Sequence, residues 1–506
     1  MATISGPNVG HRPQTMKLER PAKQIIICLA LLLVLVGLVL RLMMVRAPFG
    51  VINSDEAIAG LMARGIRDGH FTTFYWGQNY GGSFEVYILA SLGLIIPEHL
   101  AFFFLPALES IFISFLIFQI AKSRLSREVS FLIAAMYLVF PALAVWNNAR
   151  PMLFYQSTVL FGLTTIWLLD QRFQVKKIYF WISIGVILGL SWWGSVQSLF
   201  FIIPCLIVLL IRQVRPSLRE LSMAILSFLL ASLPWWYTNA RTGFASLTDG
   251  PPRDDTVLNH LESQVKIGWP TALGLRQPFN GHWLHNFLPI LFVSIVVGLV
   301  LTYGRHINKT WRSPNALLLV IPAFVVLQAL APTGSFVGSG RYYIFVVPTI
   351  LYILGSLFSY LLSKFNSFGT AIVTAIVLVA LLSTSLSLIH TRKFQFGPTH
   401  LDEVSAALRE HEVSSIYGDY WVVYSLAWED ANLTVSPTST DRRPDWSAKV
   451  RAANSVAYIF WTEYNVDVAN LEKTRISLSQ STEVKEISVG SYVILFPSIN
   501  IPPEDL

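Results

Sequence analysis

Two adjacent carboxylates, Asp55 and Glu56, stand a few residues beyond an apolar run, Gln24–Val45, that is long enough to cross a bilayer. An acid at that position lies at a membrane surface, within reach of a lipid headgroup. Its chemistry there would be general-base catalysis, removing the proton from a hydroxyl as that hydroxyl attacks an electrophilic carbon. One carboxylate suffices if the electrophile already carries a good leaving group, and its neighbour can hold it in place. The same pair also fits a helix start, with Asn53 or Ser54 as N-cap and acids in the first turn. The two readings are compatible, because a capped turn fixes the carboxylates.

The next stretch, Phe74–Glu85 (FYWGQNYGGSFE), combines aromatic rings with carboxamides, glycines and another acid. Rings such as Trp76 and Tyr80 stack on sugar faces. Gln78, Asn79 and Glu85 offer partners for hydroxyls, and Gly81-Gly82 allows close approach of backbone and ligand. A membrane-interface aromatic belt would explain the rings but not the carboxamides or Glu85. Arg150 and Arg341 each stand in a short loop beside an apolar run, where a lipid phosphate would sit, and an arginine can bind a phosphate bidentately. Arg341, followed by Tyr342-Tyr343 and preceded by Gly338-Ser339-Gly340, is the stronger of the two; either could instead snorkel to headgroups. Trp192-Trp193 and Gln197 form a hairpin between apolar runs and fit belt or groove. Glu109 falls mid-run, where an ionised acid is costly, so it should face a cavity or be protonated. Asp249, Asp254, Asp255, His260, His282 and His285 match no metal-ligand spacing, and no metal or other cofactor is assigned.

These residues must be positioned by a membrane-embedded frame. Of 506 residues, 53% are apolar and only 13% charged, more apolar surface than a soluble chain can bury. The net charge of +7 resides largely in short loops between apolar runs and is no nucleic-acid signature. Cys28 and Cys205 fall inside such runs, which excludes a disulfide framework. Runs of spanning length cover 24–45, 99–120, 128–146, 151–170, 178–194, 195–212, 218–238, 286–303, 314–332, 341–361 and 367–390, giving about eleven transmembrane helices. Segment 83–97 is short and reads as re-entrant or interfacial.

Basic residues at Lys17, Arg20 and Lys23, and in the loops near 122–127, 172–177, 212–219 and 305–312, place those segments inside. The 1–23 tail is then cytoplasmic. The first outer loop is 46–98, a large outer loop is 239–285, and everything after about 391 is outside. The polar residues singled out above converge on that outer face. From 391 to 506 the composition becomes mixed, with helical periodicity at Leu401–His411 and Trp446–Ala453. Strand-like runs appear at Ser415–Tyr417, Asn432–Val435, Val456–Trp461 and Val484–Phe496, the last with a Val489-Gly490 turn. A small extracytoplasmic α/β domain is expected, joined by a linker at Phe394–Pro398.

With these residues in view, the chain resembles the GT-C superfamily of membrane glycosyltransferases. It is most similar to the bacterial protein O-mannosyltransferase and aminoarabinose-transferase family. The resemblance is carried by Asp55-Glu56, by Trp76-Gly77-Gln78-Asn79-Tyr80-Gly81-Gly82-Ser83-Phe84-Glu85, by Trp192-Trp193, and by Gly340-Arg341-Tyr342 leading into Pro348. It covers roughly residues 20–390, and the outer domain looks like the module such proteins carry. It implies a polyprenyl-phosphate sugar as donor, with Asp55 as base and Glu56 as its neighbour. It further implies Trp76, Gln78, Asn79, Tyr80, Glu85, Arg150, Trp193, Arg341 and Tyr342 around the substrate. The family's Arg-Leu-Pro-Ser run is replaced here by Phe104-Leu105-Pro106-Ala107-Leu108-Glu109, which removes a donor-side arginine. The expectation is transfer of a sugar, a hexose such as mannose, to a lipid, glycan or protein acceptor on the outer face of the plasma membrane. Arabinofuranosyl transfer is the alternative within the class, and a lipid-linked sugar transporter or flippase the alternative outside it.

Overall fold

A computed structural model describes residues 18–505 except 47, 151–152, 172–175, 250–253, 279–281, 291, 295–296, 299–300, 302–314, 333–339 and 393–396. The 305–312 basic loop, residues Gly338-Ser339, and parts of the 1–23 tail, the 286–303 run and the 394–398 linker therefore lie outside the described residues.

The chain is a polytopic helical membrane protein with a small α/β domain. Among the described residues, four helices are long and apolar enough to span: α1 (Arg20–Met44), α4 (Glu98–Ala121), α8 (Lys177–Gly194) and Val347–Thr391. The pair α10 (Leu218–Ala231) and α11 (Leu233–Arg241), bent by 64° at Ser232 ahead of Pro234, is together long and apolar enough to be a broken span or a re-entrant loop. Four of the other expected runs hold shorter helices. Run 128–146 is divided at Pro141 into α5 (Arg127–Tyr137) and α6 (Ala142–Asn147). Runs 151–170, 195–212 and 314–332 hold α7 (Tyr155–Gln171), α9 (Leu199–Ile211) and Ala316–Leu330. The 45-residue helix Val347–Thr391 is two helices joined at Asn366, whose φ of 43° and ψ of −115° break the ladder where the sequence predicts a loop.

The bundle closes through small residues as well as large ones. A Cβ at Gly185 or Gly189 of α8 would meet the Ala224 or Phe228 carbonyl oxygen of α10 at 2.2 or 2.5 Å. The glycines, one helical turn apart, let the two backbones approach, the usual solution where lipid gives no hydrophobic drive between helices.

Two short helices sit between the first and second long apolar helices: α2 (Ser54–Arg67) and α3 (Phe84–Leu92). Nine residues cannot span a bilayer, consistent with the interfacial reading of 83–97. The carboxyl-terminal domain has a five-stranded sheet in the order β2-β1-β3-β5-β4, from β1 (Ser415–Gly418), β2 (Thr434–Pro437), β3 (Ala457–Trp461), β4 (Val484–Val489) and β5 (Tyr492–Pro497). Strand β1 is parallel to β2 and β3, whereas β5 is antiparallel to β3 and β4. Gly490, with φ of 56°, turns the β4–β5 hairpin. The domain is seated on the bundle. One apolar cluster runs from Ala57, Leu61 and Phe102 into Tyr424, Trp428 and Ile459 without a break.

Candidate active site

Helix α2 starts with a complete capping box. The Asn53 side chain accepts from the Glu56 N–H, and the Glu56 carboxylate accepts from the Asn53 N–H, both at 3.0 Å. Glu56 is also ion-paired with Arg150, whose Nε donates to Oε1 at 2.5 Å and whose Nη2 donates to Oε2. Arg150 donates further to the carbonyls of Phe49 and Val51, lies over the Trp146 ring, and is 1% exposed. Glu56 and Arg150 therefore anchor the start of α2 to the bundle. In this structure the Arg150 guanidinium, expected at a phosphate, is engaged by Glu56 and the Phe49 and Val51 carbonyls.

Asp55, one residue earlier, is only half-buried. Its Oδ1 accepts from the Tyr420 hydroxyl at 2.5 Å, and its backbone carbonyl accepts from the Tyr75 hydroxyl at 2.6 Å. Burial, and then the Asp55 carboxylate, raise the Tyr420 phenol well above its ordinary pKa, so it remains a donor. Burial followed by Asp55 and Tyr420 does the same for Tyr75. Among the described residues, Arg341 from the bundle and Arg442 from the carboxyl-terminal domain lie within electrostatic reach of Asp55. Arg341 opens the short helix Arg341–Phe345, stacks over Tyr342 and faces Tyr155. Its Nε is buried without a partner. Burial works against the Arg442 charge, yet Tyr420, Tyr75 and Asp55 around it raise its pKa on balance.

The Phe74–Glu85 stretch is a tight loop closed by a bridge between Phe74 and Gly82 and by a bond from the Tyr75 N–H to the Gly81 carbonyl. With its amide oxygen toward Arg442, Gln78 accepts from Nη1 and Nη2 at 2.9 and 3.0 Å. Trp76 packs edge-on to Trp446, with the Arg443 guanidinium 4.2 Å from its centroid. Asn79 donates to Asp249 at 3.1 Å, and Tyr80 is exposed. The half-buried Trp193 donates to the Thr73 carbonyl at 2.9 Å and packs on Phe84 and Tyr87, holding the loop base. Glu85 is buried, and its carboxylate accepts from the N–H groups of Phe154 and Ser157 at 2.9 and 3.2 Å, at the entry to α7. Glu109 lines a small cavity with Glu85, Leu105, Arg150, Leu153 and Gln156, as an acid at that depth requires.

The contacts join Asp55 to Tyr420 and Gln78 to Arg442, with Arg341 and Arg442 within electrostatic reach of Asp55. Trp76 packs on Trp446 and Arg443, and Asn79 bonds Asp249. Glu56, Glu85, Arg150 and Trp193 are engaged in internal contacts. Among the described residues, no group of three His, Cys, Asp or Glu side chains is placed to hold a metal ion. Four participants were not singled out from sequence: Tyr75, Tyr155, Tyr420 and Arg442. Tyr420 follows β1 by two residues and Arg442 follows β2 by five, so both stand at the carboxyl ends of parallel strands. That is where open α/β sheets present ligand contacts, and the strand pattern in the tail was the signal that could have found them.

No protein-family model matches the chain, and no curated protein matches its sequence. Among solved structures it is similar to the crystal structure of ArnT from Cupriavidus metallidurans in the apo state, with a TM-score of 0.61 and 12% identity. The likeness covers 92% of this chain and 97% of that one, so bundle and outer domain share the ArnT fold together.

Proposed function

We propose that the protein is a membrane glycosyltransferase that moves a sugar from a polyprenyl-phosphate donor to an acceptor hydroxyl on the outer face of the plasma membrane. The observation that carries this reading is Asp55 itself. It is a half-exposed carboxylate fixed through one oxygen, on a helix anchored by a buried ion pair, within electrostatic reach of Arg341 and Arg442. Asp55 takes the acceptor proton as the acceptor oxygen bonds to the anomeric carbon. The bond from that carbon to the phosphate oxygen breaks in the same step, and polyprenyl phosphate departs with the electron pair. A single displacement of this kind inverts the anomeric centre. Arg341 faces the developing phosphate charge, where preorganised charge acts most strongly. Gln78, Tyr80 and Trp76 flank the sugar. The full-length likeness in fold to ArnT supports the class of donor. A hexose such as mannose is the proposed sugar.

Purified protein in lipid nanodiscs, given radiolabelled polyprenyl-phosphate mannose, glucose, galactose and arabinofuranose with membrane extract as acceptor source, should release polyprenyl phosphate from one of them. Movement of these lipids across liposomes with no sugar released would instead identify a flippase.

A further inference from the structure

We infer that the outer domain is a constituent of the catalytic centre, with Tyr420 as a positioning residue for Asp55; the inference rests on the transfer reading above. An appended acceptor-binding module would be expected to pack through its own surface and to leave the bundle's chemistry complete. The observed seating is of another kind. The domain presents the carboxyl ends of β1 and β2, its ligand-binding edge by topology, directly to the start of α2. Through that edge come Tyr420, donating to Asp55 Oδ1 at 2.5 Å, and Arg442, held by Gln78. Among the described residues, the bundle's side chains hydrogen-bond Asp55 only at its backbone, through the Tyr75 hydroxyl, so the orientation of the carboxylate is set from the outer domain. With Oδ1 engaged, Oδ2 is the oxygen left to accept a proton from the acceptor.

The seating is specific along the helix Tyr420–Glu429. Ser425 meets Ser54 Oγ at 3.3 Å, and Trp428 lies against Gly60, where any Cβ would meet its ring at 2.4 Å. Arg64 places its guanidinium 3.8 Å from the Trp428 centroid and donates to the Trp428 carbonyl at 2.8 Å. Helix α2 is thus clamped on one side by Arg150 and on the other by the outer domain, with Asp55 between them.

The test uses the full chain in nanodiscs with whichever of the four polyprenyl-phosphate sugars wild type turns over fastest. Tyr420→Phe keeps the ring and removes the hydroxyl. It should lower kcat by about ten- to a hundredfold, the range for losing a hydrogen bond to a charged group, and leave donor KM within about twofold. Docking is read separately through a Ser54→Cys/Ser425→Cys disulfide, which should form to the same extent with Tyr or Phe at position 420. Wild-type kcat in Tyr420→Phe, a change confined to KM, or loss of the cross-link together with activity would overturn the inference. Asp55→Asn serves as the reference. If it is inactive while Tyr420→Phe behaves as wild type, the positioning role alone is wrong. If it is fully active, the transfer reading falls and this inference with it.

Discussion

Removing Arg150 separates a support from a substrate contact. The Glu56 carboxylate is 4% exposed and accepts from two Arg150 nitrogens and the Asn53 N–H. The Phe49 and Val51 carbonyls depend on the same guanidinium. Arg150→Met would therefore leave a buried anion and two carbonyls short of donors, at a cost of about 3–5 kcal/mol. Glu56→Gln combined with Arg150→Met removes the stranded charge while keeping an acceptor for the Asn53 N–H. The double variant should recover most of the loss, because replacing both members of a buried pair is often close to neutral. Unfolding midpoints in detergent, measured beside donor KM and kcat, give the comparison. The expected pattern is a lowered midpoint in the single variant, its return in the double, and a fall in kcat wherever the start of α2 loosens. An unchanged midpoint with donor KM raised about tenfold or more would refute this reasoning and restore Arg150 as a phosphate contact.

Arg341→Gln should lower kcat/KM by about 10²- to 10³-fold, the range for losing a preorganised charge at a developing anion, with the unfolding midpoint unchanged. In the outer domain, Asp467 accepts from the Trp461 N–H at 2.8 Å, and burial, followed by the Asp419 carboxylate, raises its pKa to about 7. The folded chain then holds a proton that the unfolded chain releases near 3.8, so stability falls as pH rises from about 4 to about 7. Thermal midpoints of the full chain across that window should decline in wild type and flatten in Asp467→Asn.

The helical membrane character was legible because long apolar runs are a strong signal. Among the described residues, however, only four helices, or five with the bent pair, are long and apolar enough to span, against the eleven runs the sequence offers. The break at Asn366 and the turn at Gly490 fall where the sequence places a loop and a turn, whereas the split at Pro141 divides a run that was read as one span. The start of α2 was readable as well, with Asn53 one of the two N-caps the sequence offers; the reciprocal bond from Asn53 to Glu56 came from the structure. Two helices of the outer domain were not readable. Tyr420–Glu429 (YWVVYSLAWE) is buried on nearly every side, so it shows no apolar stripe, and its aromatic and β-branched residues favour strands. Asn465–Ser481 buries only Asp467, Leu471 and Leu478, too few for a periodic signal. The division of labour between neighbouring acids also depended on long-range contacts. Asp55 and Glu56 are equivalent in sequence. They part only because Arg150, 94 residues away from Glu56, takes one of them, while Tyr420, 365 residues away from Asp55, holds the other in place. Glu85 illustrates the same limit, since the N–H groups it serves at Phe154 and Ser157 carry no mark in its own motif.

Single-turnover transfer by Asp55→Asn, in protein shown to bind the donor lipid as wild type does, tests the assignment of the base most directly. The rate should drop by about 10²- to 10⁴-fold, the contribution of a positioned general base, with donor affinity retained. A wild-type rate would contradict it and remove Asp55 from the chemistry.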